Sequence, residues 1–295
     1  MLLGILILVL TLLFSWQSLC ARKYTESYAG PNPAHASNVY NIIYGCVIAF
    51  LTFCLGHFRF APSLPTILLG MVNSVVLITY NRALVRGSVL GPYSFLMVFP
   101  LSGGILVPMV YNLLFMGERL SGLQFLGIGV LMAAILIMNK SGLRFQGERP
   151  PRAYFVSCIT LFFVNGFYGQ LMNIQQSVMQ GAQREEMIII TYALTGLASL
   201  ALMLRRPGEL KAGLRMGKNA ALLAGVACVI ATSATNLMVY LLSVMENTTI
   251  LFAIDNGGVM LLSALYAIVF FKEKATPSQL TGMALAVASI VLLSI

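Results

Sequence analysis

The sequence predicts an all-α integral membrane protein of about ten transmembrane helices, built as two inverted five-helix repeats. Three observations lead there: the chain is too apolar for water, its apolar runs are as long as a bilayer is thick, and its second half repeats polar landmarks of its first. Of the 295 residues, 59% are hydrophobic and 9% are charged. Soluble domains carry about 25% charged residues, so this chain has too few charges to cover its own surface in water. A membrane-spanning helix needs roughly 20 mostly apolar residues, and such stretches follow one another almost end to end.

Met1 to Cys20 is an apolar run without the basic start or small-residue cleavage site of a secretory signal. It reads as the first span, over 2–20. Spans at 38–58, 64–86, 90–116 and 121–139 complete the first half. Those of the second half are 153–177, 187–204, 219–244, 247–271 and 276–295. Pro92, Pro100 and Pro108 lie in the fourth span. Proline there removes helix hydrogen bonds, and the freed carbonyls need a partner beside a cavity or a neighbouring helix. Gly127, Gly129, Gly282, Ala284 and Ala286 are small enough to let the fifth and tenth helices pack closely. The organisation is therefore a first repeat over 1–139, a basic connecting loop over 140–152 and a second repeat over 153–295.

The repeat itself appears when the chain is slid against itself by 155 residues. Asn81 then meets Asn236, Ser88 meets Ser243, Gly103 meets Gly258 and Tyr111 meets Tyr266. Glu118 meets Glu273, Gln124 meets Gln279 and Gly127 meets Gly282. Apolar composition yields chance Leu and Val matches, but not this run of polar and glycine matches in one register. A unit of five helices is odd in number, so the second enters the membrane from the opposite side. Inverted repeats of this kind recur in secondary transporters.

The net charge of +9 does not indicate a nucleic-acid partner, because the cations punctuate the ends of apolar runs instead of gathering on one polar segment. One side of the predicted topology collects Arg22, Lys23, Arg86, Lys140, Arg144, Arg149 and Arg152. It also collects Arg205, Arg206, Lys211, Arg215, Lys218, Lys272 and Lys274. The other side has Arg59, Arg119 and Arg184. A bias of 14 to 3 makes the first side cytoplasmic and puts both termini outside. Five scattered cysteines suggest neither a disulfide framework nor a zinc site, and His35 and His57 lack a second ligand at metal spacing. No cofactor or metal is expected.

Asp255 is the one acid placed well inside a span, followed by Asn256, Gly257 and Gly258. A carboxylate at that depth costs about 2.5–3.5 kcal/mol on insertion scales, so it should face a cavity or a partner. Two readings stand: it binds a cationic group or a coupling proton, or it is held by hydrogen bonds from neighbouring helices. Helical stripes of amides and hydroxyls join it: Asn165, Gly169, Asn173 and Gln176 on the sixth helix; Asn236, Tyr240 and Ser243 on the eighth; Asn73 and Asn81 on the third. Each amide taken alone reads as interhelical glue; the set reads as the wall of a polar cavity. Gln17 and Trp16 on the first helix match Gln170 and Gly169 at a shift of 153, and Trp16 equally reads as an interfacial anchor. Arg82 snorkels to the interface or contacts an anionic solute.

Glu118 and Glu273 read as structural, with a role in transport as the alternative. Each precedes a capping box, Ser121 with Gln124 and Thr276 with Gln279, in which hydroxyl and amide satisfy each other's helix-start N–H groups. Pro277 at the first helical position strengthens the second box, and acids just ahead of a helix suit its dipole.

The segment from Tyr80 to Met138, YNRALVRGSVLGPYSFLMVFPLSGGILVPMVYNLLFMGERLSGLQFLGIGVLMAAILIM, resembles the EamA-type repeat of the drug/metabolite transporter superfamily. The matching residues are Ala83-Leu84, Pro100, Gly117-Glu118, Gln124 and Gly127. The second copy is weaker: Phe271-Lys272-Glu273 replaces the Gly-Glu turn, and Asp255 stands where the proline was. The resemblance implies a ten-helix carrier working by alternating access, often an exporter, whose helices 1, 3, 4, 6, 8 and 9 line the cavity. It also implies cytoplasmic termini, against the charge count.

The function expected from all this is secondary transport of a small polar metabolite across a bacterial cytoplasmic membrane, driven by a solute gradient or by exchange for protons or a counter-substrate. The partners are the lipid bilayer and that small molecule. A lipid-linked flippase is a close relative of this reading. A membrane-embedded enzyme would need converging acid, base or metal groups, and a sensor or scaffold would need sealed polar faces. No Walker-type phosphate loop supports ATP-driven pumping.

Overall fold

A computed structural model describes residues 2–27, 33–91, 93–139, 151–205, 217–271, 276–293 and 295. Among the described residues the chain forms ten α-helices and no strand. They are α1 (Leu2–Ser27), α2 (Pro33–Leu55), α3 (Leu64–Leu90), α4 (Tyr93–Tyr111) and α5 (Gly122–Met138), then α6 (Arg152–Val178), α7 (Arg184–Leu204), α8 (Lys218–Val244), α9 (Thr248–Phe271) and α10 (Pro277–Leu293). Eight are long and apolar enough to cross a membrane, while α5 and α10 are apolar but have 17 residues each. These are the dimensions and composition of an integral membrane protein. Helices are what such a sequence must form, because hydrocarbon offers no water to the backbone N–H and C=O groups.

The ends of several elements differ from the sequence reading. α1 runs to Ser27 instead of stopping at residue 20, through a polar turn that hydropathy alone would end. Tyr24 in that turn is buried against Ala220 and Ala224, and its ring packs on Tyr40, so tertiary contact carries the helix onward. α2 stops at Leu55, three residues early, where His57 and Phe58 take left-handed conformations with φ of 53° and 59°. Pro100 and Pro108 sit inside α4 without ending it. The helix instead widens into one π turn, Asn112–Met116, closed by Gly117 at φ 70°, whose N–H bonds the Asn112 carbonyl. Proline 108 deprives the Gly104 carbonyl of its helical partner, and Asn256 Nδ2 points at that oxygen from 3.5 Å.

Several expectations fall outside the described residues. Pro92, Glu273, and all of the connecting loop 140–152 except Pro151 and Arg152 are among them. So are eight of the fourteen cations that set the predicted orientation, Lys140, Arg144, Arg149, Arg206, Lys211, Arg215, Lys272 and Lys274.

The chain divides into two compact units, interleaved along the sequence. Unit 1 is Met1–Leu12, Arg82–Gln170 and Met245–Ile295; unit 2 is Leu13–Asn81 and Leu171–Val244. In unit 1, α5 packs on α10 and α9, and α4 packs on α9 and α5. Ile105, Leu131, Ala134, Ile135, Ala253 and Ala286 form its buried centre. Gly127 rests against Leu292 and Leu293, and Gly282 against Met138 and Ala134. Gly129 has nothing within 4 Å of where a Cβ would stand, and Ala284 is exposed. The close contact of these helices therefore rests on Gly127, Gly282 and Ala286, and the expectation for Gly129 and Ala284 fails because they lie on the outward face. In unit 2, α2 packs on α7 and α8. There the backbones nearly touch, since a Cβ on Gly45 would meet the Tyr192 carbonyl oxygen at 2.5 Å and Gly196 Cα at 2.7 Å.

Candidate functional site

Within unit 1, three helices converge on Gly104. A Cβ there would stand 2.7 Å from both Asn165 Nδ2 on α6 and Asn256 Oδ1 on α9. Asn165 Nδ2 donates to the Pro100 carbonyl at 2.7 Å, and Asn256 Nδ2 donates to the Phe252 carbonyl at 2.9 Å. The two amides expected to line a polar face thus meet on the proline-interrupted stretch of α4. Gly169 lets α6 lie against Phe252, since a Cβ on it would touch that ring at 2.6 Å.

Asp255 is the next residue of α9. It is buried, Thr11 on α1 approaches its carboxyl, and Gly258 makes room for Thr11. Its Oδ1 has no hydrogen-bond partner among the described residues. A carboxyl oxygen shut away from water without a donor is costly, and that cost marks this position off from the amides around it, each of which donates to a carbonyl.

A second polar cluster in unit 1 surrounds the π turn. Asn112 Nδ2 donates to Thr248 Oγ1 at 2.9 Å and to Thr249 Oγ1 at 3.1 Å. Gln170 Nε2 donates to Asn112 Oδ1 at 2.8 Å. The Glu118 carboxylate accepts from the backbone N–H and the hydroxyl of both threonines, the hydroxyls at 2.6 Å each. Glu118 therefore caps α9, far along the chain, and not the α5 helix that it precedes. The capping of α5 is done by Ser121 and Gln124, reciprocally at 3.2 and 2.9 Å, and that of α10 by Thr276 and Gln279 at 3.3 and 2.9 Å.

Within unit 2, three of the remaining amides donate to named partners. Asn81 Nδ2 donates to Asn41 Oδ1 at 2.9 Å, and Asn236 Nδ2 to the Thr232 carbonyl at 2.8 Å and Thr52 Oγ1 at 3.3 Å. Gln17 Nε2 donates to Tyr44 Oη at 3.1 Å. Asn173 is buried. Asn73 is fully buried, and neither its Oδ1 nor its Nδ2 has a partner among the described residues. A row of rings runs Tyr24, Tyr40, Tyr44, Tyr192, with centroids 5.1, 5.0 and 5.5 Å apart in turn. Tyr240 lies exposed beneath the Arg184 guanidinium at 5.5 Å. Trp16 is exposed, and Arg82, at the start of the unit 1 segment of α3, is exposed as well.

The structure thus gathers Asp255, Asn256 and Asn165 in one unit and Gln17, Asn81, Asn173 and Asn236 in the other. Sequence reasoning missed Asn112, Thr248 and Thr249, and the tyrosine row. Asn112 carried a signal, as an amide in an otherwise apolar turn; the tyrosines, spread over α1, α2 and α7, carried none.

No protein-family model and no curated protein matches the chain. A crystal structure of a protein is similar to it over 98% of this chain and 95% of the other, with a TM-score of 0.74 and 14% identity. That likeness is one of fold.

Proposed function

We propose that the chain is a secondary carrier of the EamA type, moving a small polar metabolite by alternating access of two inverted five-helix repeats. The observation that carries the reading is Asp255: a buried carboxyl on an apolar helix, with one oxygen unpartnered among the described residues. An ionisable group inside a span is expensive, and function is its usual reason for being there. In this reading Asp255 takes up a coupling proton or the cationic group of the solute.

The repeat is supported by the packing. A two-fold relation sets a helix that lies beside its axis against that helix's own mate. Three of the packed pairs are such mates: α2 with α7, α4 with α9, and α5 with α10. α5 and α10 start and end 155 residues apart, the spacing at which the sequence repeats.

Full-length protein reconstituted in liposomes tests the proposal. Vesicles loaded with amino acids, sugars, nucleotide sugars or amines are followed for release into buffer, with and without a pH gradient. One solute class is expected to leave through the wild-type protein and to be retained when Asp255 is replaced by Asn. Retention of every class by folded wild-type protein would sink the reading.

A further inference from the structure

The cluster around the π turn has a direction. A carboxylate only accepts hydrogen bonds, so both Glu118 oxygens draw the hydroxyl protons of Thr248 and Thr249 toward themselves. The threonine oxygens are left to accept, and Asn112 Nδ2 donates to both. Asn112 must then turn its Oδ1 the other way, where Gln170 Nε2 meets it. That commits Gln170 too, because a flipped amide would set oxygen against oxygen. The chain ends at Gln170 Oε1. This oxygen belongs to a residue with no exposed surface and has no partner among the described residues.

We infer that Gln170 Oε1 is a specificity-determining acceptor for a solute bearing a protonated amine, and that Glu118 imposes this polarity from the far end of the relay. Three considerations point to that chemistry. The amide cannot present its NH2 outward while Glu118 holds the threonines, so a solute that offers only acceptors finds no donor here. The relay ends in a carboxylate, and each bond along it polarises the next, which makes the terminal oxygen more negative. Unit 1 has two buried side-chain atoms without a partner among the described residues, Gln170 Oε1 and Asp255 Oδ1, and both are acceptors. Each is an acceptor that an N–H donor would satisfy. The inference rests on the carrier reading, and it narrows the solute class.

The test uses full-length purified protein and three probe families: butylammonium, 1,4-diaminobutane and phenethylammonium. Each is run beside its N-trimethyl counterpart, which keeps the charge and loses the N–H, and its carboxylate counterpart. Binding is read by thermal unfolding and titration calorimetry. At least one primary amine is expected to bind, and its counterparts are not. Gln170→Met should weaken that binding tenfold to a hundredfold, the weight of one hydrogen bond to a charged group. Gln170→Lys, which retains a donor to Asn112 but offers no acceptor, should abolish it. Cooperative unfolding of either variant shows that the loss is local. Silence from every amine overturns the inference. So does equal binding of trimethyl or carboxylate probes, or amine binding that neither variant changes. The two readings fail separately. Amine binding that needs Gln170, with no flux of any solute, removes the carrier and keeps this site. Flux of a solute without N–H groups, untouched by Gln170→Met, does the reverse.

Discussion

Ser289 on α10 donates its hydroxyl to the backbone carbonyl of Gly127 on α5 at 2.7 Å, joining the two helices at the glycine that lets them meet. The contact leaves little slack. A Cβ at Gly282 would strike the Met138 side chain and come within 3.0 Å of the Ala134 carbonyl oxygen. Overpacking of this kind costs about 1–3 kcal/mol. Gly282→Val should therefore lower the unfolding temperature in detergent. Gly129→Ala, with open space at its Cβ, should not. Identical melting of Gly282→Val and wild type would mean that these helices do not pack in this way.

Removing the Glu118 carboxylate strands four donors at the start of α9. An unmet buried donor costs about 1–3 kcal/mol, and the partly buried setting lets water recover some of it, so Glu118→Ala should lose about 2–4 kcal/mol. Hydrogen exchange gives a direct reading: the Thr248 and Thr249 amides should lose protection while those of α5 keep it. Loss of protection at the start of α5 instead would assign Glu118 to the helix that it precedes.

Replacing Asp255 by Asn should separate stability from function. The amide is nearly the same shape and carries no charge to bury, so the variant is expected to melt at or above the wild-type temperature. Solute flux in liposomes is expected to vanish. A variant that melts lower and still transports would place Asp255 among the structural groups.

Gly45→Ala tests the contact inside unit 2. Its Cβ would face backbone atoms, the Tyr192 carbonyl and Gly196, which cannot rotate aside as a side chain can. A loss of about 1–3 kcal/mol is expected, read as a lower melting temperature. Gly4→Ala, with nothing within 4 Å, is the matched control.

What the sequence disclosed was what is set locally. Apolar length marked every described helix, because a span must be apolar over its whole length whatever it packs against. The two capping boxes were legible for the same reason, since donor and acceptor lie three residues apart. Glu118 shows where local reading stops. Its motif lies beside α5, yet its carboxylate serves Thr248 and Thr249, which are 130 and 131 residues away. The end of α1 failed likewise, because Tyr24 is held by Ala220 and Ala224 from distant sequence. In the candidate site, Asp255 stood out by charge alone. Asn112 and Gln170 gained meaning only once the direction of their hydrogen bonds could be followed.

The brevity of α5 bears on the lipid around it. The seventeen residues of α5 rise about 25 Å, and the hydrocarbon core of a bilayer is about 30 Å thick. A helix of that length presents a short apolar flank to the acyl chains. Hydrophobic mismatch of this size costs fractions of a kcal/mol per ångström and is relieved by thinning of the membrane. Lipid should therefore dimple toward this flank of unit 1. Membranes built from shorter acyl chains should hold the protein with less strain than thick, saturated ones.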